Sequence, residues 1–233
     1  MKLNPDQIHI IYTELAITDA DEHEKLKLLS RDEQIRAERF HTPIHRKHFI
    51  AARAALREIL SLYLSTTPEQ IEFAYTDHKK PFLKSPRGLD INFNLAHSHD
   101  LAVYALALNI ALGIDIEKVD NNTHQGVADK YFSKIENDYL HRINPEEKAS
   151  AFYRIWTAKE AIVKGIGKGL GLTLAHVSID PKASTQTLTI DNATWQLCSL
   201  TIHPDYQATL ASNQIVKSIS YWHFFNHKIN LSK

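Results

Sequence analysis

Two acidic residues, Asp115 and Glu117, stand two positions apart in the segment LGIDIEKVD, residues 112–120. If this segment is a strand, alternation turns both carboxylates and Gly113 to one face and the apolar residues to the other. The carboxylates are then roughly 7 Å apart, a separation that one hard cation can bridge. Mg²⁺ takes one or two carboxylates and completes its shell with water and phosphate oxygens. The pair therefore predicts a magnesium–phosphate site, and a solvated acidic strand face is the alternative. Gly113, just before the pair, is a point that another backbone could closely approach.

A second group of charged residues, Lys159, Glu160 and Lys164, lies in the segment WTAKEAIVKGIGKGL, residues 156–170. At 3.6 residues per turn, Glu160 and Lys164 lie one turn apart on the flank of an apolar arc, and Lys159 lies near its centre. A buried lysine is costly unless it is paired, so we expect Lys159 to reach an anion or a carboxylate. For Glu160 and Lys164, an exposed salt bridge worth a few tenths of a kcal/mol is the alternative.

Basic residues crowd the first half of the chain, and they would form an anion pocket if the helices that carry them face the edge of a sheet. A solvated helix surface is the alternative for each of them. His97, in the segment NLAHSHD, could donate to a phosphate or be a satisfied histidine near the core, because the spacing is not that of a zinc site. The basic candidates are Arg36, Arg39, Arg46, Lys47, Arg53 and Lys80.

The elements that must position these residues come in two rounds of helices followed by strands. After a predicted strand at residues 8–15, Ser30 and Glu33 form a capping-box pattern, and a long helix starts at Thr42 and runs to about residue 64. Alternation then predicts antiparallel strands up to residue 116. Helices are predicted from about 124 to 166, with new starts near Ser133 and at Asn144 and Pro145, and strands again to 225. This order predicts an α+β fold made of a duplicated unit in one compact body.

Composition narrows the classes of function. Lys+Arg and Asp+Glu both number 27, so no global field favours nucleic acid or an anionic membrane. The single cysteine excludes an internal disulfide framework and fits a reducing compartment. The N-terminus lacks the apolar stretch of a signal peptide, and no window is as long as a membrane span. We therefore expect a cytoplasmic protein that binds neither nucleic acid nor membrane.

The two charged motifs together resemble the paired signature of a known family. GIDIE, followed some forty residues later by WTAKEAIVKGIGKGL, resembles the signature of the 4'-phosphopantetheinyl transferase superfamily, G-[IV]-D-[IVL]-E and then [FW]-[ST]-x-K-E-[AS]-x-x-K with a G-x-G-L tail. The pieces KKPF (residues 79–82) and NFNLAHS (92–98) fall in the expected order. The chain length is typical of the Sfp type, a monomer whose two similar halves mimic a dimer.

The resemblance implies a fold and a reaction. The fold would have two halves related by pseudo-twofold symmetry, each a helix-covered antiparallel sheet, with residues 1–110 on the coenzyme A side and 111–233 carrying the metal and catalytic motifs. The reaction would be Mg²⁺-dependent transfer of the 4'-phosphopantetheine arm of coenzyme A, the co-substrate, to a serine of an apo acyl, polyketide or peptidyl carrier protein, releasing 3',5'-ADP. The carrier would contact the surface around residues 131–143.

The resemblance also implies roles for individual residues. Asp115, Glu117 and Glu160 would hold Mg²⁺ with the pyrophosphate, and Glu160 would also be the general base for the carrier serine. Lys164 would neutralise charge on the phosphate or the leaving group. The coenzyme A candidates are Lys80, His97, Arg36, Arg46, Lys47 and Arg53, with Lys159 bracing the site from the packed side.

The sequence departs from the family pattern at Ala96, where many relatives have a serine before the motif histidine. The loss of one neutral hydrogen bond should cost about 0.5–1.5 kcal/mol in coenzyme A binding, and Ser98 could supply a replacement hydroxyl. Two other functions remain open at this point. One is a non-catalytic module that binds coenzyme A or a carrier protein, and the other is an unrelated Mg²⁺-dependent phosphohydrolase.

Overall fold

The computed structural model describes residues 1–86, 88–121, 125–167 and 174–231. Within these ranges the chain forms helices and strands in the predicted order of two rounds, and the α+β class is confirmed. The helices are α1 (Asp19–Leu28), α2 (Arg31–Glu38), α3 (Pro43–Leu64), α4 (Gln125–Tyr131), α5 (Lys134–Arg142) and α6 (Pro145–Ile166). The strands are β1 (Gln7–Glu14), β2 (Glu72–Tyr75), β3 (Pro81–Ser85), β4 (Ile91–Ser98), β5 (Leu101–Leu108), β6 (Leu112–Lys118), β7 (Thr185–Ile190), β8 (Ala193–Leu200), β9 (Tyr206–Ser212), β10 (Ser218–Phe225) and β11 (Lys228–Leu231).

The two long helices begin where the sequence predicts. Thr42 caps α3 and Asn144 caps α6, and in each helix the next residue is a proline whose fixed φ suits the first turn. Helix α6 ends at Gly167, whose φ of 72° lies in the left-handed region that favours glycine. Both helices pack on the sheets.

The strands form a five-stranded sheet in the order β11-β10-β1-β5-β4, a four-stranded sheet in the order β6-β9-β8-β7, and the hairpin β2-β3. The prediction of an antiparallel sheet in each half is wrong for the five-stranded sheet, because β1 and β10 run parallel from Gln7↔Ser218 to Tyr12↔His223. A short hairpin imposes antiparallel pairing, but β10 reaches β1 after most of the chain has intervened, so no turn fixes its direction. The four-stranded sheet is antiparallel throughout. The pseudo-twofold relation between the halves stays a prediction.

Three apolar clusters bury the sheets. Helix α3 packs on the five-stranded sheet through residues such as Leu56 and Ile59, and α6 packs on the four-stranded sheet through residues such as Ile155 and Ile162. A third cluster joins the two sheets and includes Ile114 of β6. In the part of the chain that the structure describes, no helix combines the length and the apolarity needed to cross a membrane. Strand β6 therefore lies between helix α6 and the five-stranded sheet.

Candidate functional site

A glycine lets α6 touch β6. A Cβ atom placed on Gly113 would lie 2.1 Å from the carbonyl oxygen of Ala161 and 2.3 Å from the nitrogen of Gly165, so no other residue fits without movement of the backbone. The predicted alternation is confirmed, because Ile114 and Ile116 enter the cluster between the sheets while Gly113 faces the helix. The close approach brings the last two turns of α6 directly onto the acidic strand.

Asp115 is the buried centre of the site, with 3% of its surface exposed. Its Oδ1 accepts a hydrogen bond of 2.6 Å from the Lys164 ammonium, while its buried Oδ2 has no hydrogen-bond partner. Burial raises the pKa of Asp115 to about 6, Lys164 acts against this shift, and the charge of Glu117 adds to it. One oxygen of a buried carboxylate is therefore left for a ligand.

Glu117 lies two residues further along β6 and is half-buried. Its Oε2 accepts a hydrogen bond of 2.7 Å from the hydroxyl of Ser98 on β4. Burial raises the pKa of Glu117, and the hydrogen bond from Ser98 and the charge of Lys164 oppose the shift. The second carboxylate is thus held by the neighbouring sheet.

Glu160 and Lys164 approach the strand from α6, and both are partly exposed. Burial is the main cause that raises the pKa of Glu160, the negative charge of Asp115 adds to it, and Lys164 opposes it. Three carboxylates and one ammonium therefore act on one another at the crossing of β6 and α6. The structure brings together the four residues that were predicted to carry the chemistry.

The donor set suits a hard cation. Three carboxylates, one of them with a buried oxygen that lacks a partner, are the oxygen ligands that Mg²⁺ takes. Among the described residues, however, no three His, Cys, Asp or Glu side chains are already grouped as a metal site. One oxygen of Asp115 is bonded to Lys164 and one oxygen of Glu117 to Ser98. The chemistry of the residues fits the ion, and side chains must turn to gather around it.

Lys80 and His97 border this crossing. The Lys80 ammonium donates to the carbonyl oxygens of Leu112 (3.1 Å) and Gly165 (3.0 Å), so it ties β6 to the end of α6, and burial lowers its pKa to about 8. Desolvation lowers the pKa of the His97 imidazole, and the positive charge of Lys164 acts in the same direction. Both residues therefore lie around the acidic cluster, and their part in binding coenzyme A stays a prediction.

Lys159 is not brought to the cluster. Its ammonium is fully buried in an ion pair with Glu136 of α5 at 2.9 Å and donates to the carbonyl oxygens of Leu174 (2.8 Å) and Val177 (2.6 Å). The expectation of a carboxylate partner is confirmed, but the partner lies outside the site. Lys159 and Lys164 are five positions apart, which places them about 140° apart around the helix. Lys159 therefore anchors α6 and cannot reach a bound phosphate from this position.

Most basic candidates on helices α2 and α3 have partners within the layer that helices α1, α2 and α3 form. Arg53 is buried and donates through Nε to Glu33 at 2.7 Å, Lys47 lies 2.5 Å from Asp19, and Arg46 pairs with Glu22. Arg36 packs over the ring of Phe49 at 5.2 Å. The structure shows these side chains bound to α1, α2 and α3 rather than gathered as a free anion pocket, because their acidic partners lie on α1 and α2. Sequence spacing did not reveal those pairings.

Two further features concern the motifs. Ala96 is buried, and the nearby Ser98 hydroxyl donates a hydrogen bond to Glu117. No pattern in the sequence indicated this bond. Most of the G-x-G-L tail, residues 168–170, lies outside the described residues. The core of both motifs is nevertheless fully described.

Comparisons with known proteins identify the family of the chain. The family model of the 4'-phosphopantetheinyl transferase superfamily matches residues 111–211, and that of the N-terminal part of 4'-phosphopantetheinyl transferase matches residues 18–109. The 4'-phosphopantetheinyl transferase HetI of Nostoc sp. is 31% identical over 229 residues, which cover 96% of this chain and 95% of that protein. The 4'-phosphopantetheinyl transferase Sfp of Bacillus subtilis is 26% identical over 173 residues, which cover 74% of this chain and 75% of that protein.

A solved structure, the holo-[acyl-carrier-protein] synthase (AcpS) of Thermotoga maritima, matches with a TM-score of 0.31 and 16% identity over 44% of this chain and 62% of that chain. No conclusion rests on so partial a match. The sequence matches suffice: the chain belongs to the 4'-phosphopantetheinyl transferase superfamily. The predictions of the Sfp type and of a transferase are confirmed by the same relatives.

Proposed function

We propose that the chain transfers the 4'-phosphopantetheine arm of coenzyme A to a serine of an apo carrier protein and releases 3',5'-ADP. The observation that carries this proposal is the complete set of Asp115, Glu117, Glu160 and Lys164 at one crossing of β6 and α6. In this reaction the serine oxygen forms a bond to the phosphorus of the pantetheine phosphate, and the bond from that phosphorus to the ADP oxygen breaks. Such a reaction needs positioning and neutralised charge more than covalent catalysis.

Mg²⁺ would be held by Asp115, Glu117 and Glu160. A bound Mg²⁺ would neutralise the charge of the pyrophosphate and of the leaving group. The unpartnered Oδ2 of Asp115 supports this assignment, because a buried carboxylate oxygen without a hydrogen bond is costly unless a ligand completes it.

Glu160 would accept the proton of the carrier serine, directly or through water. Burial and the charge of Asp115 raise its pKa, which makes it a stronger base than an exposed glutamate. Lys164, 30% exposed at the side chain, can turn from Asp115 to a phosphate oxygen and neutralise charge there. Proton transfer and charge neutralisation would then come from one face of α6.

Coenzyme A would lie mainly against the half formed by residues 1–110, with 111–233 supplying the catalytic motifs, in one monomer of two pseudo-symmetric halves. Lys80 and His97 support this placement, because both border the acidic cluster and come from the first half. We place the protein in the cytoplasm, where its single cysteine would remain reduced.

The carrier would dock around residues 131–143. Ile135 of α5 is 72% exposed there and borders a pocket of about 360 Å³ that is also lined by Tyr139 and Ile179. An apolar surface of this kind suits contact with a helix of another protein. An assay with carriers from different pathways identifies the carrier that this surface binds.

The direct test is the intact mass of several apo carrier proteins after incubation with the chain, coenzyme A and Mg²⁺, with and without EDTA. We expect at least one carrier to gain the mass of one phosphopantetheine arm and EDTA to prevent the gain. Coenzyme A binding without a mass gain on any acyl, polyketide or peptidyl carrier would instead indicate a non-catalytic binding protein.

A further inference from the structure

Within the described residues, one edge of strand β6 is paired with no other strand. Its partner is β9, and it is the outermost strand of the four-stranded sheet, with β4 of the other sheet beside it. Two buried side chains of β4 fill the free edge: Asn94 Oδ1 accepts from the Ile114 amide at 2.8 Å, and Ser98 Oγ accepts from the Lys118 amide at 3.2 Å. The amides are four residues apart, as are the side chains, so two equivalent bridges join the sheets.

The two bridges differ in what else they hold. A hydroxyl has one proton and two acceptor sites. Because Ser98 Oγ accepts the Lys118 amide, its proton is available to the Glu117 carboxylate, to which it donates at 2.7 Å. The Oγ also lies 3.3 Å from His99 Nδ1. Among the described residues, the hydrogen bond that involves the Asn94 side chain is the one that its Oδ1 accepts from the main-chain amide of Ile114.

We propose that Ser98 is a positioning residue of the active site, whose hydroxyl fixes the Glu117 carboxylate for joint action with Asp115. Asn94, by contrast, is assigned to joining the sheets. A glutamate side chain has three rotatable bonds, and a short hydrogen bond from an anchored hydroxyl restricts the position of its carboxylate. Hydrogen-bond partners that orient a ligating side chain typically change metal affinity by about 10- to 100-fold. This inference rests on the proposed function, because it takes Glu117 as a ligand of Mg²⁺.

The test compares Ser98→Ala with Asn94→Ala and Ser98→Thr. Both alanine variants lose one bridge between the sheets, so both should lower Tm, and Asn94→Ala is therefore the matched control for stability. Threonine keeps the hydroxyl and suits a strand, so Ser98→Thr should restore the behaviour of the original chain. The first readout needs no carrier: Tm of each variant is measured as Mg²⁺ is titrated, and the half-saturating concentration is compared.

We expect Ser98→Ala to raise the half-saturating Mg²⁺ concentration by roughly tenfold, Asn94→Ala to leave it unchanged, and Ser98→Thr to return it to the original value. The same order should appear in the Mg²⁺ dependence of carrier modification, with the KM for coenzyme A of Asn94→Ala unaltered.

Equal Mg²⁺ dependence in Ser98→Ala and Asn94→Ala, with the original chain active, would overturn the inference and leave the proposed function standing. If the original chain shows no Mg²⁺-dependent change in Tm, the inference fails together with the metal assignment. Failure of the original chain to modify any carrier, with the predicted Mg²⁺ order intact, would count against the proposed function alone.

Discussion

Two lysines of α6, five residues apart, each form an ion pair with a carboxylate, yet the two pairs have different surroundings. Lys159 and Glu136 are fully buried, and both oxygens of Glu136 are used, one by the lysine and the Ser133 amide and the other by the Ile179 amide. Lys164 is 30% exposed, and its partner Asp115 keeps one oxygen without a hydrogen bond. In the first pair both carboxylate oxygens are hydrogen-bonded, whereas in the second pair one carboxylate oxygen remains available to a ligand.

The difference teaches how to separate a structural charge from a functional one on a single helix. A buried pair whose every polar atom is satisfied has nothing left to offer a ligand, and its removal should affect folding. A pair with an open side and a free oxygen can exchange its partner for a ligand. Variants of the two pairs should therefore separate stability from activity.

The largest effect is expected for Glu136→Leu, because it leaves the Lys159 ammonium buried without a counter-charge. The cost should be about 3–5 kcal/mol in the free energy of unfolding, measured by urea denaturation. The double variant Glu136→Leu/Lys159→Met removes both charges and should recover much of this loss. A single variant within about 1 kcal/mol of the original chain would contradict the structural role of the pair.

Lys164→Met should affect activity strongly and stability little, the opposite of Glu136→Leu. We expect carrier modification to slow by about 10²-fold or more, since a charge aimed at the phosphate is lost. The free energy of unfolding should change little, because Asp115 can take up a proton once its cation is gone. The exposed Lys148 of the same helix supplies the control Lys148→Met, which should keep full activity. Activity of Lys164→Met above half of the original rate would remove Lys164 from the mechanism.

Gly113→Ala should disturb the contact between β6 and α6 that brings Lys164 to Asp115. The added Cβ would collide with the backbone of α6, and such overpacking typically costs about 1–3 kcal/mol in the free energy of unfolding. Activity should fall as well, because Lys164 moves away from the strand. Gly126→Ala is the matched control, since nothing lies within 4 Å of its added Cβ and alanine favours a helix. Equal stability and activity of the two variants would show that the close contact at Gly113 does not hold the site together.

The smallest effect concerns pH. Burial raises the pKa of Asp115 from 3.8 to about 6, so its contribution to stability is present below pH 4 and is lost as the pH rises through 6. A protonated Asp115 cannot bind a cation, so the half-saturating Mg²⁺ concentration should increase as the pH falls below about 6. Titration of Tm with Mg²⁺ between pH 5 and pH 8 measures this increase. A constant half-saturating concentration over that range would contradict the assignment of Asp115 to the metal.

The local features of the site could be predicted from the sequence. Alternation in β6, the start of α6 at Pro145 and the close approach at Gly113 each depend on neighbouring residues, and the structure confirms them. The family motifs then indicated which charges belong together. These features required no knowledge of how distant elements meet.

The remaining features depend on contacts between distant elements. The partner of Lys159 lies on α5, the acidic partner of Arg53 lies on α2, and β10 pairs with a strand more than 200 residues away. No spacing in the sequence encodes which carboxylate meets which cation once helices pack together. For the same reason the bond from Ser98 to Glu117, which crosses from one sheet to the other, could not be foreseen.

The most direct measurement of the central claim is the intact mass of an apo carrier protein after incubation with coenzyme A, Mg²⁺ and either the original chain or Glu160→Gln. The glutamine variant keeps the size of the side chain and removes the base and one carboxylate. We predict that the original chain adds one phosphopantetheine arm to the carrier serine, while Glu160→Gln, folded to the same extent, adds almost none. Equal modification by both proteins would show that the crossing of β6 and α6 is not the active site.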